Sequence, residues 1–265
     1  MILYSTKHAS PDVSLEEAVF RGLPPDNGLY MPYEIPTLPQ SFFDTIGDLS
    51  ISEIAFEVAK ALLGNDVPES DLKGIIERSI NFEAPLVGIE PNKYVLELFH
   101  GPSMAFKDFG ARFMAALMSY FLQKSHQDIH ILVATSGDTG GAVAQGFYNT
   151  PGIKVTILYP TGKVSDIQEK QLTTLGGNVT ALEVDGTFDD CQSLVKQAFL
   201  DKELSSKYNL ASANSINISR LIPQSFYYFN AYAQLKKAGV DKPVVFCVPS
   251  GNFGNLSAGL IGDFI

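Results

Sequence analysis

The fold is decided by the stretch IHILVATSGDTGGAVAQGFY, residues 129–148, in which an apolar strand pattern passes through a glycine-rich turn into a helix pattern. Further strand patterns follow at 155–159 and 179–184, and helix patterns at 167–175 and 188–200. Strands and helices that alternate at this spacing form a parallel sheet covered by helices. The sequence therefore predicts an α/β fold.

Outward from this stretch, two other segments show the same transition. Upstream, a strand pattern at 94–99 leads through a Gly-Pro turn into an apolar helix that we expect to end near Gln123. Downstream, a strand pattern at 244–248 leads into Pro249-Ser-Gly-Asn-Phe-Gly-Asn255, and the residues after it begin another helix pattern. Ligands of open α/β sheets bind at the carboxyl ends of strands. We therefore look for chemistry in the turns that follow residues 134 and 248.

Length and charge limit the classes of function. A chain of 265 residues is long enough for roughly two domains of about 150 residues. The net charge of −10 disfavours nucleic acid and anionic membranes as partners. A small anionic substrate stays open, because backbone N–H groups can bind phosphate locally. No basic leader or apolar run of about 18 residues is present, so we expect a cytoplasmic protein.

The two cysteines, Cys191 and Cys247, lie within apolar patterns and lack the spacing of metal ligands. We predict that both are buried thiols and that the chain has no metal site.

Lys107 is the first candidate for chemistry, because it lies between Phe106 and Asp108 at the start of the upstream helix. A lysine there can be an ordinary solvated helix residue. It can also form an imine with a carbonyl cofactor, provided that it is partly desolvated near a phosphate site.

The second candidate is a phosphate-binding loop after residue 248. Glycine-permitted turns between a strand and a helix let several N–H groups converge on an anion. The alternative is an ordinary turn, since glycine and asparagine are common there. The loop residues are Gly251, Asn252, Phe253, Gly254 and Asn255.

The turn that follows residue 134 supplies Ser136, Asp138 and Thr139. Their polar groups and the amides of this turn suit a substrate carboxylate and the polar edge of a cofactor ring. The alternative is a capped turn, in which Ser136 or Asp138 only satisfies helix N–H groups.

A third polar segment is a candidate site for a second phosphate or carboxylate. It contains Asn214, Ser215 and Arg220, with Asn217 as a weaker candidate; Lys163, elsewhere in the chain, is a further weaker candidate. Amides, a hydroxyl and a guanidinium are suitable donors for such a group. A solvated loop ending in a surface arginine is the alternative.

Together these motifs resemble one family. Ala-Phe-Lys107-Asp-Phe-Gly, Ala-Thr-Ser-Gly-Asp-Thr-Gly-Gly141, Asn214-Ser-Ile-Asn-Ile-Ser-Arg-Leu and Pro-Ser-Gly-Asn-Phe-Gly-Asn255 occur in this order. They closely resemble the bacterial-type threonine synthases. The resemblance begins near Leu3 and reaches the last residue, while full members of the family continue well beyond it.

The resemblance implies a fold type II pyridoxal-phosphate enzyme, similar to the tryptophan synthase β subunit, with parallel sheets flanked by helices. It also implies an N-terminal helical extra domain at 1–90, a small α/β domain at 91–205 and the start of a truncated large domain at 206–265. We expect the C-terminal part of the large domain, including the group that faces the pyridine nitrogen, to be missing.

The implied reaction converts O-phospho-L-homoserine and water to L-threonine and phosphate by γ-elimination and β-addition. In this interpretation Lys107 carries pyridoxal 5′-phosphate, Asp138 and residues 251–255 bind the cofactor, and Ser136, Thr139 and the third polar segment bind the substrate. The alternatives are a serine/threonine dehydratase, a cysteine synthase or an inert metabolite-binding protein. The resemblance leaves open a monomer or a homodimer.

Overall fold

The computed structural model describes residues 1–125, 128–213, 215–251 and 253–265. Its strands are β1 (Ile2–Ser5), β2 (Val13–Ser14), β3 (Tyr30–Pro32), β4 (Leu86–Glu90), β5 (Lys93–Leu96), β6 (Ile129–Ala134), β7 (Ile153–Pro160), β8 (Val179–Val184) and β9 (Leu210–Ala211). Its α-helices are α1 (Leu15–Arg21), α2 (Gln40–Thr45), α3 (Ile51–Leu63), α4 (Glu69–Ser79), α5 (Lys107–Ser125), α6 (Asp138–Phe147), α7 (Asp166–Thr173), α8 (Phe188–Leu200), α9 (Lys202–Lys207), α10 (Ile218–Lys237) and α11 (Gly254–Phe264).

The predicted parallel sheet is confirmed. Its strand order is β8-β7-β6-β9, and each neighbouring pair is parallel. In β6, Ile129, Ile131 and Val133 are buried while the residues between them are half-buried. This alternation follows from the opposite directions of successive side chains in a strand. Because β6 runs parallel to its neighbours, the turn that follows its last residue lies at the carboxyl edge of the sheet, as the sequence predicted.

Helix α5 packs against α4, α6 and α10, and 14 of its residues are buried. A helix that is apolar on most sides is stable only inside a core. Its partner α10 has 20 residues, is buried along most of its length and contains Pro223 near its N-terminal end. The sequence analysis did not predict α10. Proline normally interrupts a helix, so the pattern around it gave no clear signal.

The N-terminal region is a three-stranded antiparallel sheet, β2-β1-β3, together with helices α1 to α4. Helix α3 begins with a capping box in which Ser50 and Glu53 satisfy each other's backbone N–H groups. The N-terminal region packs on the rest of the chain through contacts of α3 with α10 and of α4 with α5.

The predicted strand at 94–99 is shorter in the structure. Residues Lys93–Leu96 form β5, which pairs with β4 in an antiparallel hairpin.

The strand predicted at 244–248 is wrong, because residues 241–250 form neither helix nor strand. The apolar pattern is present, but a strand needs a neighbour to accept and donate its backbone hydrogen bonds. In the described residues no strand pairs with this segment. Val245 is 90% exposed, and Cys247 is exposed although we predicted it buried. Cys191 is buried as predicted.

Candidate active site

Lys107 is the first residue of α5, at the end of a turn that the structure holds closely. The Ser103 N–H donates to Asp108 Oδ2 at 2.9 Å, and Gln171 Nε2 donates to the Ser103 carbonyl at 3.1 Å. A Cβ atom on Gly101 would lie 2.3 Å from Asp108 Oδ2, so only glycine fits there without displacement. The turn therefore places Lys107 through bonds to two helices.

Lys107 lines a cavity of about 560 Å³ at the carboxyl edge of the sheet. Four other predicted site residues, Ser136, Asp138, Thr139 and Ser215, line the same cavity. The structure thus brings together residues that are up to 108 positions apart in the sequence.

The turn after β6 is held by Thr135, a residue that the sequence analysis did not assign. Its hydroxyl accepts from the N–H groups of Gly137 and Gly140 at 3.2 and 2.9 Å. A Cβ atom on Gly140 would lie 2.4 Å from Thr135 Cγ2. The Thr135 hydroxyl, and not Ser136 or Asp138, satisfies a helix N–H group at the start of α6, so the alternative in which Ser136 or Asp138 serves as its cap is wrong.

Asp138 is held from the neighbouring helix. Gln168 on α7 donates from Nε2 to Asp138 Oδ1 at 2.9 Å. This bond orients the carboxylate at the edge of the cavity that Lys107 also lines.

The electrostatic surroundings of Lys107 favour a neutral amine. Burial lowers the pKa of Lys107, Asp138 partly offsets this shift, and the positive charge of Arg220 lowers the pKa further. No ion pair within 4.0 Å holds Lys107 in the part of the chain that the structure describes. Its Nζ lies 5.1 Å from the ring centroid of Phe106. An unpaired, half-buried amine with a lowered pKa is a good nucleophile toward a carbonyl.

Arg220, one of the predicted phosphate ligands, is fully buried. Its Nη1 donates to the Ala213 carbonyl at 3.0 Å, while Nε and Nη2 have no partner among the described residues. Burial lowers its pKa to about 10, and Asp108 partly offsets this effect. Arg220 does not line the cavity, although its partner Ala213 does. Its contact with a substrate phosphate stays a prediction.

The other residues of the third polar segment differ in their positions. Asn214 lies outside the described residues. Asn217 caps α10, with its Oδ1 accepting from the Ser219 N–H and its Nδ2 donating to the Val19 carbonyl at 2.8 Å. The Asn217 amide is thus used by the fold through both of its polar atoms, and its contact with a phosphate stays a prediction. Lys163 is exposed in the turn after β7 and does not line the cavity.

The glycine-rich loop does not line the Lys107 cavity with its described residues Gly251, Phe253, Gly254 and Asn255. Asn252 lies outside the described residues. Asn255 instead lines a second, mostly apolar cleft of about 510 Å³, which Phe106 also lines. The backbone of Phe253 is left-handed, with φ at 59°. Phosphate binding by this loop stays a prediction.

Helix α8 contributes cavity residues that the sequence analysis missed. They are Phe188, Gln192, Val195 and Lys196. The spacing of 188, 192 and 195 places these residues on one helical face. The sequence indicated the helix but contained no signal for the element that this face would contact.

Among the described residues, no group of three or more His, Cys, Asp or Glu side chains is placed to hold a metal ion. No helix in the described ranges has the length and apolar character needed to cross a membrane.

Comparison with known families identifies the cofactor chemistry. Residues 83–262 match the family described as pyridoxal-phosphate dependent enzyme. The chain belongs to this family. Residues 3–80 of this pyridoxal-phosphate-dependent enzyme also match the family described as threonine synthase N terminus.

Individual relatives are similar over nearly the whole chain. The chain is 49% identical over 261 residues to a threonine synthase of Haemophilus influenzae, covering 98% of this chain and 60% of the relative. It shares a fold with pyridoxal-phosphate-bound threonine synthase from Brucella melitensis, with a TM-score of 0.93 and 38% identity, covering 100% of this chain and 58% of that one. Yeast threonine synthase gives a TM-score of 0.91 and 41% identity, covering 99% and 55%. The chain thus spans about 60% of the length of its curated relatives.

The residues around Lys107 fit the cofactor of this family. A carbonyl group needs a neutral amine to attach covalently, and Lys107 is half-buried with a lowered pKa. The cavity beside it also holds the hydroxyl groups of Ser136 and Thr139. These groups can bind the polar edge of the ring or a substrate carboxylate.

Proposed function

We propose that this chain is part of a threonine synthase that converts O-phospho-L-homoserine and water to L-threonine and phosphate. The observation that carries the proposal is the cavity that Lys107 lines together with Ser136, Asp138, Thr139 and Ser215. The match of residues 3–80 to the N terminus of threonine synthases supports this activity over other reactions of the family.

Lys107 is the central residue of the mechanism. Pyridoxal phosphate, when attached to Lys107, supplies an electron sink for the reaction. The Lys107 amine, when it is not bonded to the cofactor, would move protons at the α and β carbons of the substrate. The lowered pKa of Lys107 supports this role, because a general base works best when its pKa lies near the operating pH.

The other residues bind and orient the substrate and the cofactor. Ser136 and Thr139 hold the substrate carboxylate, and Asp138 lies on the cofactor side of the cavity. The N–H groups at the start of α6 add a favourable dipole for an anion. Asn214, Ser215 and Arg220 bind the substrate phosphate. The two nitrogen atoms of Arg220 that have no partner among the described residues support this assignment, since buried donors are normally satisfied.

The cofactor phosphate is assigned to the loop formed by Gly251, Asn252, Phe253, Gly254 and Asn255. The loop precedes α11, whose N-cap residue Phe253 makes no side-chain cap bond, and a Cβ atom on Gly251 would meet no other atom within 4 Å. These features support an anion site at the start of the helix.

The remaining assignments accompany this proposal. The domain limits are 1–90, 91–205 and 206–265, the location is the cytoplasm and the partner is a small-molecule substrate. A serine/threonine dehydratase, a cysteine synthase and an inert metabolite-binding protein are the competing functions.

The covalent attachment is tested by adding pyridoxal phosphate to the purified chain and recording its absorbance spectrum. We expect a band in the visible region that borohydride fixes covalently and that is absent from Lys107→Ala. Lys124→Ala is the matched control, because Lys124 lies at the opposite end of the same helix. A band of equal size in Lys107→Ala would contradict the assignment.

The reaction is tested on a chain extended to the length of the relatives. We expect phosphate release from O-phospho-L-homoserine, and threonine as the product. Deamination of serine or threonine without phosphate release would instead favour a dehydratase.

A further inference from the structure

One face of α10 contacts the first turns of α5, where Lys107 lies. Arg220, Gln224 and Tyr227 are spaced to lie on that face, four and then three residues apart. The helices approach closely because Gly110 has no side chain. A Cβ atom there would lie 3.0 Å from Gln224 Nε2 and 3.2 Å from the Arg220 carbonyl oxygen.

Tyr227 makes two contacts that flank Lys107. Its hydroxyl donates to the carbonyl of Phe106 at 3.0 Å, and its ring stacks on Phe109 with centroids 4.2 Å apart and planes 7° from parallel. Phe106 directly precedes Lys107, and Phe109 follows it by two residues. A single side chain therefore bonds to the backbone just before Lys107 and packs against a side chain just after it.

The hydroxyl of Tyr227 is suited to remain a donor. The side chain is buried, and burial raises its pKa well above the ordinary value. The phenol thus stays protonated over the working range of pH, and its hydrogen bond to the Phe106 carbonyl persists.

Lys107 needs such support because its own side chain has no ion pair within the described ranges. The turn before it also includes Met104, which has a left-handed backbone with φ at 57° and is 60% exposed. A non-glycine residue in that conformation is strained, so neighbouring contacts must maintain the turn.

We propose that Tyr227 is a positioning residue for Lys107: it fixes the backbone before the lysine, packs against Phe109 after it and so keeps the amine half-buried in the cavity. Its importance for catalysis rests on the proposed cofactor attachment at Lys107. The positioning itself does not depend on the cofactor.

The test compares Tyr227→Phe with Tyr232→Phe in a chain extended to the length of the relatives. Tyr227→Phe keeps the ring and removes the hydroxyl. Tyr232 lies on the same helix, and its hydroxyl has no hydrogen bond to the described residues. It is therefore the matched control for removing a tyrosine hydroxyl.

The first readout is the pH profile of acetylation of Lys107 by acetic anhydride, followed by mass spectrometry without cofactor. In Tyr227→Phe we expect the midpoint to rise toward the ordinary lysine pKa, because the loosened amine becomes solvated. The neutral fraction at neutral pH, and with it the rate of acetylation at that pH, should fall in Tyr227→Phe. Tyr232→Phe should keep the midpoint of the parent.

A purely structural role would lower the thermal unfolding midpoint of Tyr227→Phe and leave the pH profile unchanged, and this result would overturn the proposal. An equal shift in Tyr232→Phe would overturn it as well. A parent chain that never attaches pyridoxal phosphate would refute the proposed function, while the acetylation profile would still decide the positioning role.

Discussion

The turn before Lys107 and the glycine-rich loop at 249–255 differ in how they are held. The Lys107 turn is bound by Asp108 of α5, Gln171 of α7 and Tyr227 of α10. Among its described residues, the glycine-rich loop is held by bonds of its own Asn255, which donates to the Pro249 carbonyl and accepts from Ser250, and by a bond from the Tyr228 hydroxyl to the Asn255 carbonyl.

Both segments were recognised by equally distinct motifs. The turn before Lys107 lies among buried helices next to the parallel sheet. The glycine-rich loop instead follows a segment that pairs with no strand in the described ranges. The difference shows that a motif indicates a chemistry, but packed neighbours are needed to place its atoms. Substitutions in the two regions should therefore have unequal effects.

The largest difference in stability is expected between two glycine substitutions. In Gly140→Ala the new Cβ atom would lie 2.4 Å from Thr135 Cγ2, so the turn must shift. We expect this change to lower the free energy of unfolding by about 1–3 kcal/mol. The comparison variant is Gly251→Ala, because its Cβ atom would meet no other atom within 4 Å. This change should alter the free energy of unfolding by less than about 0.5 kcal/mol. Chemical denaturation without cofactor measures both, and equal losses would contradict the contrast.

A smaller effect is expected when Lys107 is replaced by methionine. Burial lowers the pKa of Lys107, so the folded state binds fewer protons than the unfolded state between that lowered pKa and the ordinary 10.5. The stability contributed by this group therefore rises with pH through that window. Lys107→Met should raise the free energy of unfolding at pH 7 by about 1 kcal/mol, as substitutions at functional sites commonly do.

This gain should shrink as the pH approaches 10.5, because the parent then no longer has to charge a half-buried amine. Urea denaturation at several pH values gives the comparison. Lys124→Met is the control, since a hydrogen bond with Tyr120 raises the pKa of Lys124. A gain that is independent of pH would argue against the desolvation of Lys107.

The smallest effect on stability is expected for Asn255→Ala in the glycine-rich loop. Among the described residues, the Asn255 side chain bonds to Pro249, Ser250 and the adjacent Leu256, which are all close in the chain, so the free energy of unfolding should change by less than about 0.5 kcal/mol. The affinity for pyridoxal phosphate should fall about threefold to tenfold if this loop binds the phosphate group. Ser257→Ala, in the following helix, is the control. An unchanged affinity, measured by absorbance titration, would separate Asn255 from the cofactor site.

Elements with a strong local pattern were predicted correctly, whereas elements that depend on packed neighbours were not. The bounds of β6, β8 and α8 were predicted to the residue, because their periodicity is strong and local. Helix α10 was missed, since its proline and its apolar surroundings only make sense once it is buried against α5. The strand at 244–248 was predicted from a correct apolar pattern, but no strand of the described ranges pairs with this segment.

The sequence by itself determined the α/β class, the parallel sheet, the turn at its carboxyl edge and the lysine that heads α5. These features depend on periodicity and on residue types that are close together in the chain. Only the tertiary structure decided that Lys107 and Ser215 share a cavity, that Asn217 caps a helix and that Tyr227 holds the lysine backbone. Such contacts join distant segments, and their geometry depends on how the helices pack rather than on any local pattern.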